Sequence, residues 1–283
     1  MIKFDKYEKT DNTLEKRITY ITSKKFNYCT EKQAYKTILN CIDLTTLKGS
    51  NTEEDIIKLC EKAYSFNNDN KEIPNTAAVC VYPVFVKTAK NHLVNKNIEV
   101  ASVAGCFPSG QSPLSVKMQE VQYAIDQGAD EIDMVISRGK LIEKKYDEVF
   151  HEIKSIREIC KDVHLKVILE TGELKTVEMI RSASEIAILS GTDFLKTSTG
   201  KIQPAATHEA FLIMLDTIKE HYDNTKVKVG IKAAGGISTT DEAIAYYLLV
   251  KDVLGEEWLN KKLFRIGASR LADNIFNEIE EME

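Results

Sequence analysis

The sequence predicts an α/β chain folded as a (β/α)₈ (TIM) barrel with a short N-terminal helical extension. Three observations predict it. Eight short β-rich runs alternate with segments of helical period over about 230 residues. The runs are mostly continuous and apolar, as parallel strands covered on both faces must be. Several of them end in chemically capable polar residues, which suits a fold that keeps its active site at the C-terminal ends of its strands. A doubly wound open sheet is the alternative, but no G-x-G-x-x-G follows the first strand.

Strand one is predicted over 41–44 (CIDL), strand two over 77–83 (AAVCVYP) and strand three over 99–107 (EVASVAGCF). Strands four to eight follow at 131–136 (EIDMVI), 165–171 (LKVILET), 193–199 (DFLKTST), 227–235 (VKVGIKAAG) and 263–269 (LFRIGAS). Between the first two lies TEEDIIKLCEKAYSF, with apolar residues at helical spacing and Thr52 before acidic residues as a start signal. SVKMQEVQYAIDQG closes on Gly128, a common terminator. DEVFHEIKSIREIC, TVEMIRSASEIAILSG, HEAFLIMLDTIKEHY and TTDEAIAYYLLVKDVLG repeat the style. Residues 1–35 precede strand one and read as an added helical or partly mobile segment. No linker or internal repeat divides the chain, so 1–283 is expected to be one domain, with 36–283 as barrel and C-terminal helix.

Bulk properties exclude several classes. At 43% hydrophobic and 29% charged residues, the composition is globular rather than disordered. A net charge of −5 leaves no basic excess for nucleic acid. Apolar runs such as AVCVYPVFV fall far short of a membrane span, and the charged N-terminus has no signal-peptide core. The six cysteines (Cys29, Cys41, Cys60, Cys80, Cys106, Cys160) form no C-x-x-C pair, and several lie in apolar contexts. Reduced thiols and a cytoplasmic location are expected. The five histidines show no zinc-ligand spacing, so no metal is expected.

The polar residues at strand ends carry the chemistry. Strand one holds Asp43 and leads into Thr45, strand four holds Asp133, strand six Lys196 and strand seven Lys232. Lys166, near the start of strand five, reads as a paired structural residue or one at the barrel's lower end, and Glu170 closes that strand. A single Asp or Lys in a strand is most often a solvent-face residue. Two lysines on successive strands, about 4.8 Å apart, are harder to dismiss. A buried pair is costly unless carboxylates such as Asp133 and Asp43 compensate it. An amine nucleophile, however, must be neutral, and both burial and a nearby cation lower a lysine's pKa from its ordinary value near 10.4. The chemistry expected is Schiff-base formation with an aldehyde or ketone, then an enamine that makes or breaks a C–C bond. The glycine-bearing turns TGK, AGGI and IGAS follow strands six, seven and eight. Each alone is most simply a turn; together, at this end of a barrel, they suggest a phosphate pocket.

These residues carry a family resemblance. IDLTTL, AAVCVYP, GADEIDMVI, LKVILETGEL, GTDFLKTSTGK, VGIKAAGGI and FRIGAS, in this order over about residues 38–270, resemble the deoxyribose-phosphate aldolases, class I aldolases of the (β/α)₈ fold. The resemblance implies reversible cleavage of 2-deoxy-D-ribose 5-phosphate to acetaldehyde and D-glyceraldehyde 3-phosphate, with no cofactor. It implies Lys196 as the Schiff-base lysine, Lys232 as the second lysine that lowers the pKa of Lys196, and Asp133 as their acid/base partner. Asp43, Thr45, Cys80 and Thr199 become supporting residues, and Gly200, Lys201, Gly235, Gly236, Gly267 and Ser269 surround the phosphate. A homo-oligomer, dimer or tetramer, is implied, with residues 1–35 as one source of contacts. Two departures stand out. Arg270 occupies the second place of a serine pair found in one branch of the family. No tyrosine follows Tyr247, so the terminal tyrosine that assists the proton step in some relatives has no counterpart in NIFNEIEEME. Another Schiff-base phosphosugar aldolase, or a non-catalytic phosphate-binding barrel, is the alternative.

Overall fold

The computed structural model describes residues 4–24, 26, 28–68 and 70–282, with the side chains of Tyr28 and Cys29 outside that set. Eight parallel strands close into a barrel in sequence order. They are β1 (Ile42–Thr45), β2 (Ala78–Val81), β3 (Glu99–Ala104), β4 (Glu131–Val135), β5 (His164–Ile168), β6 (Phe194–Lys196), β7 (Gly230–Ala234) and β8 (Phe264–Ala268). β8 pairs back onto β1, with Asp43 opposite Gly267.

Two helices, α1 (Asp11–Thr22) and α2 (Tyr28–Asn40), precede the barrel. The crossovers carry α3 (Glu53–Ala63), α4 (Val86–His92), α5 (Leu114–Asp126), α6 (Arg138–Ile142) and α7 (Tyr146–Cys160). They continue with α8 (Thr171–Leu174), α9 (Val177–Leu189), α10 (His208–Thr225) and α11 (Thr240–Leu254), and α12 (Leu271–Glu281) closes the chain. Threonine sets four of the helix starts. Thr52 accepts from the Asp55 N–H while the Asp55 carboxylate accepts from the Thr52 N–H at 2.8 Å, and Thr176, Thr207 and Thr239 cap α9, α10 and α11. Each such cap contributes about 1 kcal/mol. The predicted extension is helical: α1 packs on α10 and α11, and α2 packs on α11 and α12. Tyr7 donates to Asp216 at 2.7 Å, and Arg17 pairs with the same carboxylate.

All eight predicted strands are present, and most stop short of the predicted end. β3 ends at Ala104 because Gly105 and Cys106 both turn to positive φ, +76° and +58°. β6 ends at Lys196 because side chains take over the pairing: the Ala234 N–H donates to the Thr197 hydroxyl at 3.0 Å, Ser198 donates to the Ala234 carbonyl, and Thr199 turns to Glu170. That early end places Lys196 at the barrel mouth. Below it, Phe194 points inward and fills the floor. Gly230 on β7 makes the room, since a Cβ there would come within 2.4 Å of the Phe194 ring. Among the described residues no helix is long and apolar enough to cross a membrane.

Candidate active site

Lys196 and Lys232 are direct cross-strand partners on β6 and β7. Both are buried, and both ammonium nitrogens reach the same atom. Asp133 Oδ2 accepts from Lys196 at 2.7 Å and from Lys232 at 2.6 Å. Lys232 also donates to Asp43 Oδ2. Asp133 Oδ1 lies 3.1 Å from Lys166 Nζ, an ion-pair contact without hydrogen-bond geometry.

Two further charges complete the cluster. Glu131, two residues before Asp133 and on the same face of β4, accepts from Lys166 and from Arg265 at 2.7 Å. Arg265 in turn donates to Asp43 Oδ1 at 2.6 Å. Lys166 and Arg265 rest above the Phe194 ring, 5.7 and 5.9 Å from its centroid. The opposite wall is apolar: Cys80, Ala101 and Val103 line it, with Leu47, Tyr82 and Phe107 above.

Burial acts on every group here, and the partners decide the outcome. Burial lowers the pKa of Lys196, and the Lys232 cation adds to that against the pull of Asp133, so the result lies below the ordinary lysine value. Burial pulls Lys232 the same way, but it touches two carboxylates, Asp133 and Asp43, and ends well above that value. Burial would raise the three carboxylic acids; instead the cations around them hold Asp43 below, and Glu131 and Asp133 well below, the usual range. Burial lifts the Cys80 thiol, whose sulfur lies 3.9 Å from Asp133 Oδ2. The cluster thus offers one amine inclined to neutrality, one fixed cation and a shared carboxylate able to pass a proton between them.

A cavity of about 250 Å³ opens above Lys196. Thr45, Thr199, Gly200, Lys201, Gly235 and Gly236 line it, with Gly267 and Ser269 on the β8 side. The predicted phosphate residues therefore surround one space that also reaches the Lys196 side chain. Lys201 spans the mouth, its ammonium bound to the Leu47 carbonyl and its N–H donating to Thr199 Oγ1 at 3.1 Å. Thr45 turns its hydroxyl onto the Asp43 carbonyl at 2.8 Å. Asp43 contacts Lys232 and Arg265.

Four residues near the site escaped the sequence-based site assignment. Glu131 and Arg265 lie within predicted strands four and eight; the signal that could have found Glu131 is period two, which puts it on the same face as Asp133. Glu170 and Arg138 organise the loop after β6. Glu170 is buried in the left-handed region at φ +57°, accepts from Thr199 N–H at 3.1 Å and from its hydroxyl, and pairs with Arg138 at 3.0 Å. Lys166, read as a paired structural residue or one at the lower end, is paired with Glu131 and lies beside Asp133.

Comparison with known proteins identifies the family. The sequence profile of the DeoC/LacD family aldolases matches residues 37–249. The deoxyribose-phosphate aldolase of Homo sapiens is 44% identical over 248 residues, covering 84% of this chain and 78% of that protein. The Mus musculus protein of that name is 43% identical over 249 residues, with the same coverage. A tetrameric deoxyribose phosphate aldolase from Aeropyrum pernix superposes with a TM-score of 0.70 over 90% of this chain and 98% of that one; at 22% identity it speaks for the fold. With a profile match running from the end of α2 into α11 and relatives matching along most of their length, this chain belongs to the DeoC/LacD family of aldolases.

Proposed function

We propose that the chain is a deoxyribose-phosphate aldolase that uses Lys196 as its Schiff-base nucleophile. The observation that carries this reading is the sharing of Asp133 Oδ2 by Lys196 and Lys232 beneath a glycine-lined cavity. The neutral Lys196 amine attacks C1 of open-chain 2-deoxy-D-ribose 5-phosphate, and loss of water leaves an iminium. A base removes the C3 hydroxyl proton, the C2–C3 bond breaks, and its electron pair flows into the iminium to give an enamine and D-glyceraldehyde 3-phosphate. Protonation at C2 and hydrolysis release acetaldehyde and the free lysine. Asp133 and Lys232 relay the protons, Lys232 as the fixed cation and Asp133 as the carboxylate between the two nitrogens. Asp43 holds Lys232, and Cys80 belongs to the apolar wall where the two-carbon fragment lies. Thr45 and Thr199 contact the sugar hydroxyls. Backbone N–H groups at Gly200, Gly235, Gly236 and Gly267, with Lys201 and Ser269, take the phosphate.

The reading extends to a homo-oligomer, dimer or tetramer, in the cytoplasm. The described cysteines Cys41, Cys60, Cys80, Cys106 and Cys160 are free thiols, which suits a reducing compartment.

Borohydride reduction in the presence of 2-deoxy-D-ribose 5-phosphate tests substrate, chemistry and residue together. The expected product is a covalent adduct mapped to Lys196 by mass spectrometry, absent in an inactive Lys196→Ala variant. An adduct on another lysine, or none, rejects the assignment.

A further inference from the structure

Six buried side chains close a ring of alternating charge beneath Lys196. Asp43 meets Lys232, Lys232 meets Asp133, Asp133 meets Lys166, Lys166 meets Glu131, Glu131 meets Arg265, and Arg265 returns to Asp43. None is more than 3% exposed. Three carboxylates thus face three cations with no charge left over. Lys196 hangs on the ring through one contact, to Asp133, and is the seventh charge. A further buried cation finds no anion of its own there, so the group least supported is the one that gives up its proton.

Glu131 and Arg265 stand at the strand starts, two residues before Asp133 and Gly267, and neither lines the cavity. They touch neither Lys196 nor the space for substrate. Filling the floor would not call for them, since apolar side chains do that as well or better. We propose that Glu131 and Arg265 are positioning residues that hold Lys196 in its neutral, nucleophilic form by closing the ring at equal numbers of carboxylates and cations. The proposal rests on the Lys196 reading given under Proposed function.

The groups that face the ring come from every strand. β1 supplies Asp43, β2 Cys80, β3 Glu99, β4 Glu131 and Asp133, and β5 His164 and Lys166. Lys196 comes from β6, Lys232 from β7, Lys261 and Arg265 from β8 and its approach, and Cys41 stands just before β1. His164 Nδ1 lies 3.8 Å from Glu131 at the outer rim and adds a positive charge only when protonated. All variants are therefore compared in one buffer series, with His164→Gln as a control in which the midpoint keeps its place.

Competitive acetylation with acetic anhydride, mapped to Lys196 across pH, reads the neutral amine without turnover. Glu131→Gln leaves a surplus cation in the ring and is expected to move the labelling midpoint to lower pH. Arg265→Gln and Lys166→Gln leave a surplus carboxylate and move it to higher pH, each by about one unit. The pair Glu131→Gln/Arg265→Gln restores neutrality and returns the midpoint to the wild-type value, as does the charge-keeping Arg265→Lys. Circular dichroism identifies the folded variants, and any folded single variant decides the sign. Midpoints that stay fixed, or that move the same way on loss of an anion and of a cation, overturn the proposal. If no single variant folds, a folded pair at the wild-type midpoint supports charge parity and a displaced midpoint refutes it. The label needs no aldol substrate, so a failed borohydride trap with intact midpoint shifts would reject the Schiff-base reading alone.

Discussion

Lys196 and Lys232 donate to one oxygen of Asp133, at 2.7 and 2.6 Å, yet their basicities move apart. The difference is Asp43, which touches Lys232 and not Lys196. Removing the fixed cation reverses this division of labour. In Lys232→Met, Asp133 and Asp43 lose one positive partner and Lys196 becomes the replacement, held protonated. Acetaldehyde release at neutral pH is expected to fall by a factor on the order of 10²–10⁴. Some of the loss returns as pH rises, because the defect is a proton on the nucleophile. Near wild-type turnover at neutral pH would reject this role for Lys232.

The three buried carboxylates make acid stability a readout of the same cluster. Each has a folded pKa below its unfolded value. Their stabilisation is therefore complete above the unfolded range near pH 4 and is lost as pH falls through the folded values. Thermal midpoints are expected to drop steeply below about pH 4. Asp43→Asn leaves Lys232 and Arg265 each one partner short. It should cost about 3–5 kcal/mol at pH 7 and make the acid drop shallower. Calorimetric melts of both proteins across pH check this, and parallel curves would contradict it.

The barrel and the catalytic lysines were legible because local pattern specifies them. Alternation of apolar runs with helical period needs no tertiary knowledge, and LKTSTGK followed by VGIKAAGGI places two unusual lysines on neighbouring strands. The partners of those lysines were harder to read. Arg265 joins Asp43 and Glu131 from positions 222 and 134 residues away, and nothing local marks it as buried. Strand ends were overextended at 199 and 107 because the Thr197 hydroxyl takes the Ala234 N–H in place of a backbone carbonyl, Thr199 turns to Glu170, and Cys106 turns to positive φ. Glu170 could be seen as a strand-end carboxylate, but its left-handed backbone and its grip on Thr199 exist only once β5 and β6 are side by side.

Glu170 ties Arg138 to the loop that carries Thr199, Gly200 and Lys201. Glu170→Gln keeps the shape and removes the charge from both contacts. Charge-assisted hydrogen bonds contribute about 1.5–3 kcal/mol, so the loop loosens without disturbing Lys196. KM for the phosphorylated sugar is expected to rise about tenfold while kcat changes little, since the residue touches neither amine. Steady-state kinetics separate the two parameters. A fall in kcat with KM unchanged would move Glu170 from loop support to the proton chemistry.

Gly235 and Gly236 are neighbours with the same positive φ, +89° and +85°, but different surroundings. A Cβ on Gly235 would lie 2.6 Å from the Ala205 Cβ and 2.8 Å from the Gly200 Cα, so the backbone carrying the 199–201 loop must move. A Cβ on Gly236 meets nothing within 4 Å, and only the left-handed backbone is penalised, by about 1–2 kcal/mol. Gly236→Ala is therefore expected to lower stability by roughly that amount and to leave a folded enzyme. Gly235→Ala should also erode the preference for 2-deoxy-D-ribose 5-phosphate over unphosphorylated 2-deoxy-D-ribose, by about tenfold or more in kcat/KM, as the N–H groups lose their aim. The ratio of the two kcat/KM values decides the matter, because a general loss of folded enzyme scales both substrates alike and leaves that ratio where it was.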